Sequence, residues 1–303
     1  MPIKLAAFPK CFLEQMMAGE MSVFQWIKCA ATLPHITGVE LYPYQRALES
    51  WQREYLVGVK TALNDAGLQC PMICASPDFT QPDMEARREE VEKYKRTIDV
   101  AEALGAQYCR VLSGQKRPEV SREDGVCWVV ESIEGVLPHA ADCGITLIME
   151  NHYKDGFWQY PEFAQAKDVY LEIVDQIHAP NFGLNYDPSN ALIAGDDPYE
   201  LLDAMKDRVL TMHASDRSLE GGTFEDLKKF DADPTTGYAS FVKHGVIGDG
   251  LIDYDRIFTT LKSAGFSGWV SIEDGQDPEV GMEHLQLSAE FLWNKLQQFQ
   301  LDR

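Results

Sequence analysis

"ITLIMENHYKDG", residues 145–156, opens as a strand and closes as something else. Ile145, Thr146, Leu147, Ile148 and Met149 form a short, β-rich apolar run of the kind that is buried on both faces. The run then ends on a carboxylate, an amide and an imidazole in succession, Glu150, Asn151 and His152. Unpaired polar groups are costly in a core, so a buried strand that stops this way points to a site at its C-terminal end.

Seven further runs have the same character: IKLAAFP (3–9), GVELYP (38–43), CPMICAS (70–76), YCRVLSG (108–114), FGLNYDP (182–188), VLTMHASD (209–216) and WVSIEDG (269–275). Longer stretches with helical period alternate with them, among them ESWQREYLVGVKTALNDAG and MEARREEVEKYKRTIDVAEALG, both ending on the glycine expected after a helix. Eight such units predict an α/β protein built as a single closed parallel (β/α)8 barrel, residues 1–303 forming one domain, because each strand is then covered by helices outside and side-chain layers inside. An open doubly wound sheet would carry a phosphate-binding turn, and neither GxGxxG nor GxxxxGK[ST] occurs. The connection 217–250, between the seventh strand and its helix, is much longer than the others and rich in glycine. It is expected to be a mobile cover over the C-terminal mouth.

Acidic residues outnumber basic ones 48 to 27, for a net charge of −21. Such a surface repels phosphate backbones and anionic lipid, which excludes nucleic acid and membrane as expected partners. The seven cysteines are scattered and contain no CxxC pair, as in a reduced cytoplasmic protein. The start of the chain, MPIKLAAFPK, lacks the pattern of a signal peptide, and no apolar run approaches membrane length, so the expected location is the cytoplasm.

In a barrel the strand ends converge on one cavity. The fifth strand brings Glu150 and His152, the sixth Asp187, the seventh His213 and Asp216, the eighth Glu273. Confined carboxylates repel and would force at least one pKa up; a divalent cation removes the difficulty. Oxygen-rich ligation with one imidazole suits Mn, Mg or Co, and admits Zn or Fe. Each residue alone has a plain structural reading, Asp187-Pro188 as a turn or His213 as a core histidine, and only their coincidence at matching strand ends argues for a site.

The segments IMENH, NYDPSN, TMHASD and SIEDG, with IGDGLIDYDRIFTTLKSAGFSGWVSIEDG, resemble the xylose-isomerase-like TIM-barrel superfamily of sugar isomerases and epimerases. The resemblance implies one divalent ion, Mn foremost, held by Glu150, Asp187, His213 and Glu273. It also implies proton transfer by Glu150 and Glu273. Two positions depart from the epimerase pattern: Asn190 stands where a substrate-binding histidine is expected, and His152 follows two residues after the glutamate. That E-x-H is similar to the C-deglycosidase branch of the superfamily. Two residues apart on a strand is the same face, which makes His152 a third candidate catalytic group.

Asn190, Asp216, Arg217, Lys154, Trp158 and Glu40 are candidate substrate contacts, and Lys243 and His244 lie in the long loop as weaker ones. These residues suit proton abstraction next to a carbonyl, through a metal-stabilised enediolate. The expected activity is a metal-dependent isomerase or epimerase of a sugar, keto-sugar or sugar phosphate. The alternative is a lyase performing β-elimination on a 3-keto-glycoside or keto-polyol. An endonuclease-type hydrolase would need histidines on earlier strands, and ICASPDF and VLSGQ have none. Besides a small sugar, the partners expected are a second copy of the chain or another enzyme subunit.

Overall fold

The two hydrophobic periods in the chain are realised as ten strands among the described residues, which are 2–275 and 277–302 of this computed structural model. In chain order these are β1 Lys4–Ala7, β2 Ile36–Val39, β3 Met72–Ile73, β4 Tyr108–Val111, β5 Thr146–Glu150, β6 Phe182–Tyr186, β7 Val209–Ala214, β8 Arg217–Leu219, β9 Val242–His244 and β10 Trp269–Ile272. Eight of them form one parallel sheet in the order β2-β1-β10-β7-β6-β5-β4-β3. The remaining seam, between β2 and β3, is bridged at Gly38–Gln69 and Leu41–Ile73, with Val39 N donating to Gln69 O at 2.8 Å and Cys74 N to Leu41 O at 2.9 Å. The result is the nearly closed (β/α)8 TIM barrel expected from the sequence.

Helices wrap the sheet by burying one stripe each. The helix Val23–Ala30 starts on a reciprocal cap, in which Gln25 N donates to Ser22 Oγ and Ser22 N to Gln25 Oε1, a device that stabilises helix starts by about 1 kcal/mol. It buries Val23, Trp26, Ile27 and Ala30 against the barrel. The helices Arg53–Asp65 and Met84–Leu104 stop at Gly67 (φ 69°) and Gly105 (φ 76°), left-handed positions where a Cβ would be strained.

The strands are shorter than the apolar runs at their C-terminal ends. Glu40, His152, Asp187, Asp216 and Glu273 all lie beyond the ladders. Side chains replace ladder bonds there: Asp187 N donates to Asn151 Oδ1 at 2.8 Å, and Asp216 N to Asp274 Oδ2 at 2.6 Å. The helix after β5 begins only at Lys167, because residues 161–163 cross back over the mouth, where Phe163 N donates to Gly114 O at 2.7 Å and Lys116 N to Pro161 O at 2.8 Å.

The connection 217–250 is folded. Antiparallel β8 and β9 pair Arg217 with His244, and the helix Phe224–Ala232 lies between them. A small core of Tyr153, Ile193, Leu227, Ala239 and Val242 fastens this unit to the barrel. Tyr153 Oη donates to both oxygens of Asp231 at 2.8 and 2.7 Å, Lys154 Nζ donates to Thr235 O, and Tyr238 Oη to Lys154 O. Removing the phenol in Tyr153→Phe leaves Asp231 short of a donor at a cost of about 1–3 kcal/mol. Amide exchange across 224–244 is expected to quicken by about tenfold, measured by hydrogen exchange without ligand; unchanged exchange would mean that the cover is not held there.

Candidate active site

Glu150 ends β5, His213 lies in β7, and Asp187 and Glu273 directly follow β6 and β10. Adjacent strands in register therefore bring four ligand-type side chains together: one donor atom from each lies within 4.8 Å of the others, and all four residues are buried. His213 Nδ1 stands 3.3 Å from Glu150 Oε1 and 3.2 Å from Glu273 Oε2.

Their neighbours orient them. Asp187 caps the helix Pro188–Ala194, its Oδ1 accepting from Asn190 N at 2.8 Å and Ser215 Oγ at 2.6 Å. Its other oxygen has no hydrogen-bond partner, nor has His213 Nδ1, although both are buried. On the far side of the imidazole, Nε2 lies 2.9 Å from Glu40 Oε2. A carboxylate accepting from one ring nitrogen leaves the lone pair of the other free for a cation. Two buried lone-pair atoms without hydrogen-bond partners, one imidazole nitrogen and one carboxylate oxygen, are what a divalent ion would satisfy, so the residues present fit one.

Charge tells the same story. Burial pulls the His213 imidazole down, but Glu150, Glu40 and Glu273 outweigh it and raise the pKa well above the usual value. Burial pushes the Asp187 carboxyl up to about 6, Arg217 opposing and Glu150 and Glu273 adding to it. Burial also acts to raise Glu150, yet His213 and Arg110 hold it down at about 2. Glu273 is likewise held well below the carboxylate range by Lys10 and His213, against its burial. The cluster is short of positive charge and draws it from every side.

Beside it lies a cavity of about 180 Å³, lined by Lys10, Tyr42, Arg110, His152, Tyr238 and Glu273 among others. His152 is buried, with Nδ1 3.2 Å from Glu162 Oε2 and its ring edge-on to Trp158. Glu162 is itself pinned by Ser113, whose backbone N donates at 2.7 Å and whose Oγ donates to the same oxygen. With Glu162 accepting from Nδ1, the second ring nitrogen is left for the cavity.

Of the candidate substrate contacts, Lys154 is on the cavity wall, as is His244 from β9. The others are not. Glu40 sits behind His213 and also accepts from Cys74 Sγ. Asn190 bridges Glu150 Oε1 (3.1 Å) and Arg217 Nη1 (2.5 Å), while Asp216 accepts from Gly248 N and Ile252 N and fastens the long connection. Trp158 backs His152 from outside the cavity.

Three residues escaped the sequence reading. Arg110, whose Nη1 is 2.7 Å from Glu150 Oε2, is an arginine inside an apolar strand, and that anomaly was visible. Lys10, 3.6 Å from Glu273 Oε1, directly follows the first strand run. Glu162 carried no signal, because it sits in a stretch with helical spacing.

A family model described as "Xylose isomerase-like TIM barrel" matches residues 30–294. The chain belongs to that family. Among curated relatives, an inosose dehydratase of Geobacillus thermodenitrificans is 24% identical over 240 residues, 73% of this chain and 74% of the relative. An L-ribulose-5-phosphate 3-epimerase of Salmonella paratyphi A is 20% identical and covers 87% of this chain and 82% of its own length. The solved structure of the IOLI protein with a bound zinc atom superimposes with a TM-score of 0.75 at 17% identity, over 98% of this chain and 99% of that one. No helix among the described residues is long and apolar enough to cross a membrane.

Proposed function

We propose that this chain is a divalent-metal-dependent lyase that removes the proton next to the carbonyl of a small keto-polyol or keto-sugar and expels a β-hydroxyl as water. Glu150, Asp187, His213 and Glu273 would hold the ion, which when bound supplies Lewis-acid polarisation of a substrate carbonyl. The relative that binds zinc and the unpartnered lone-pair atoms of the cluster support this assignment of ligands, and Mn2+, Mg2+, Co2+ and Zn2+ all remain within its chemistry.

The observation that carries the reading is His152 on the cavity wall, backed by Glu162 and distinct from the four clustered residues. Epimerisation needs one group to take a proton and another to return it on the opposite face. Glu150 and Glu273 are the natural pair, but both are held ionised by cationic neighbours, which makes them weak bases. His152 is a single imidazole aligned by a carboxylate. It can take the α-proton and hand it to the departing hydroxyl, the C–H electron pair becoming the new double bond as the C–O bond breaks, so that an unsaturated ketone and water leave. Lys10 and Arg110 keep the cluster's carboxylates charged throughout, and the aromatic rings of Tyr42 and Tyr238 give the substrate an apolar wall. At about 180 Å³ the cavity falls below the ~300 Å³ at the lower end of ligand pockets. That favours one small ring or chain over a glycoside carrying an aglycone.

The dehydratase relative supports this reading, and the epimerase relative supports the second one, an isomerase or epimerase using Glu150 and Glu273. The two separate in D2O. Metal-loaded protein incubated with a panel of keto-polyols, keto-sugars and 3-keto-glycosides is expected to yield a dehydrated product by NMR. A singly deuterated epimer or isomer with no substituent lost would establish the second reading instead.

Glu40 is assigned the support of His213 rather than of substrate. Glu40→Gln is expected to weaken metal binding by about 10–100-fold, measured by competition with a chelating dye, with little change in KM once metal saturates. Unchanged affinity would leave Glu40 as core packing only.

A further inference from the structure

A second set of ligand-type side chains lies on the outside of the barrel. The helices Met84–Leu104 and Arg122–Asp142 pack side by side and lead into β4 and β5, so their C-terminal parts stand at the N-terminal face, the end opposite the candidate active site. There Asp99 of one helix meets His139 of the other and Cys143, the residue that caps that helix's C-terminus. His139 Nε2 is 2.7 Å from Asp99 Oδ1, and Cys143 Sγ is 3.8 Å from that oxygen and 3.9 Å from that nitrogen. His139 and Cys143 are four apart and share a helix face. Glu102 lies one turn on from Asp99 on the same helix, and its charge acts on the same thiol.

The donor set differs in kind from the oxygen-rich cluster of the barrel. Thiolate, imidazole and carboxylate together suit a borderline-soft ion. With bonds of about 2.3 Å to sulfur and about 2.0–2.2 Å to nitrogen and oxygen, the edges of a tetrahedral site measure about 3.3–3.6 Å. The observed separations straddle that range, so shifts of under about 1 Å would seat an ion. A catalytic reading fits less well: burial, with Glu102 and Asp99 adding to it, pushes the Cys143 thiol up to about 11, too high for a nucleophile at neutral pH.

We propose that Asp99, His139 and Cys143 form a second divalent-cation site, of the zinc class, that clips the helices Met84–Leu104 and Arg122–Asp142 together with Glu102 or water as fourth ligand. Binding displaces the thiol proton to solvent and forms a sulfur–metal bond without redox change.

The test uses the full chain and Co2+ alone as the probe, since a cobalt–thiolate bond absorbs in the near ultraviolet. In the Glu150→Gln/His213→Ala chain, where the barrel cluster no longer competes, Co2+ is expected to give this band with one-to-one saturation and to lose it to added Zn2+. Cys143→Ala should abolish the band, and His139→Ala should weaken binding by tenfold or more. If the double variant does not fold, the same comparison in the otherwise unaltered chain replaces it, because the difference made by Cys143→Ala is specific to this thiol. Absence of a thiolate band, or a band that survives Cys143→Ala, would overturn the proposal.

Discussion

A chain carrying both Glu150→Gln and His213→Ala is expected to lose the ion of the barrel cluster and at least about 10³-fold in turnover, since Lewis-acid polarisation contributes several kcal/mol. The physical ground is that His213 Nδ1 and Asp187 Oδ2 are buried without partners, and that Glu150 Oε1 and Glu273 Oε2 converge on the same imidazole nitrogen. Elemental analysis before and after dialysis against a chelator, with the count of any cobalt–thiolate site subtracted, is the measurement. A barrel-site ion still present in this variant would sink the ligand assignment. The metal-free parent carries a pH signature as well. Asp187 and His213 both have folded-state pKa values above their ordinary ones, so the folded chain binds protons that the unfolded chain releases; stability falls as pH rises through about 6 on account of Asp187 and goes on falling above the ordinary histidine value of 6.5 on account of His213. A bound cation offsets that loss. The rise in melting temperature on adding metal should accordingly be larger at about pH 7.5 than at about pH 5.

Replacing His152 by alanine or glutamine should leave metal content and melting temperature nearly unchanged while lowering turnover by on the order of 10²-fold or more, the range for losing a general acid or base. His152 belongs to the cavity wall and is not one of the four clustered ligand-type residues. Glu162→Gln is the companion variant: the ring stays in place but loses the carboxylate that aligns it, so kcat should fall and its pH profile shift with KM little changed. Near-normal turnover in both His152 variants would assign the proton to Glu150 or Glu273 and favour the epimerase reading. Loss of metal together with activity would make His152 a ligand or a support for one.

How much of this was legible in advance depends on the range of the forces involved. The alternation of apolar strand runs with helical stretches is local, and so is the polar ending of each strand; the eight-unit barrel and six strand-end candidates could be read from it, and the family resemblance implied the quartet Glu150, Asp187, His213 and Glu273 among them. Strand ends could not, because Asp187 and Asp216 look like strand residues until their backbone amides find Asn151 and Asp274 from other units. The long connection looked mobile from its glycines, and only the interlock of Tyr153 and Lys154 with Asp231 and Thr235, nearly eighty residues away in the chain, shows it folded.

By itself, then, the sequence determined the barrel and a set of polar strand-end candidates, since period and strand-end chemistry are properties of short windows; the family resemblance narrowed those candidates to four. Tertiary structure alone decided what each side chain faces. It turned Glu40 toward His213 instead of the cavity and Asn190 toward Glu150 and Arg217, and it brought Arg110 to Glu150 and Glu162 to His152. Those pairings cross between units of the barrel, where burial makes a lone charge or an unmet donor costly enough to select its partner, and no spacing along the chain encodes which partner that will be.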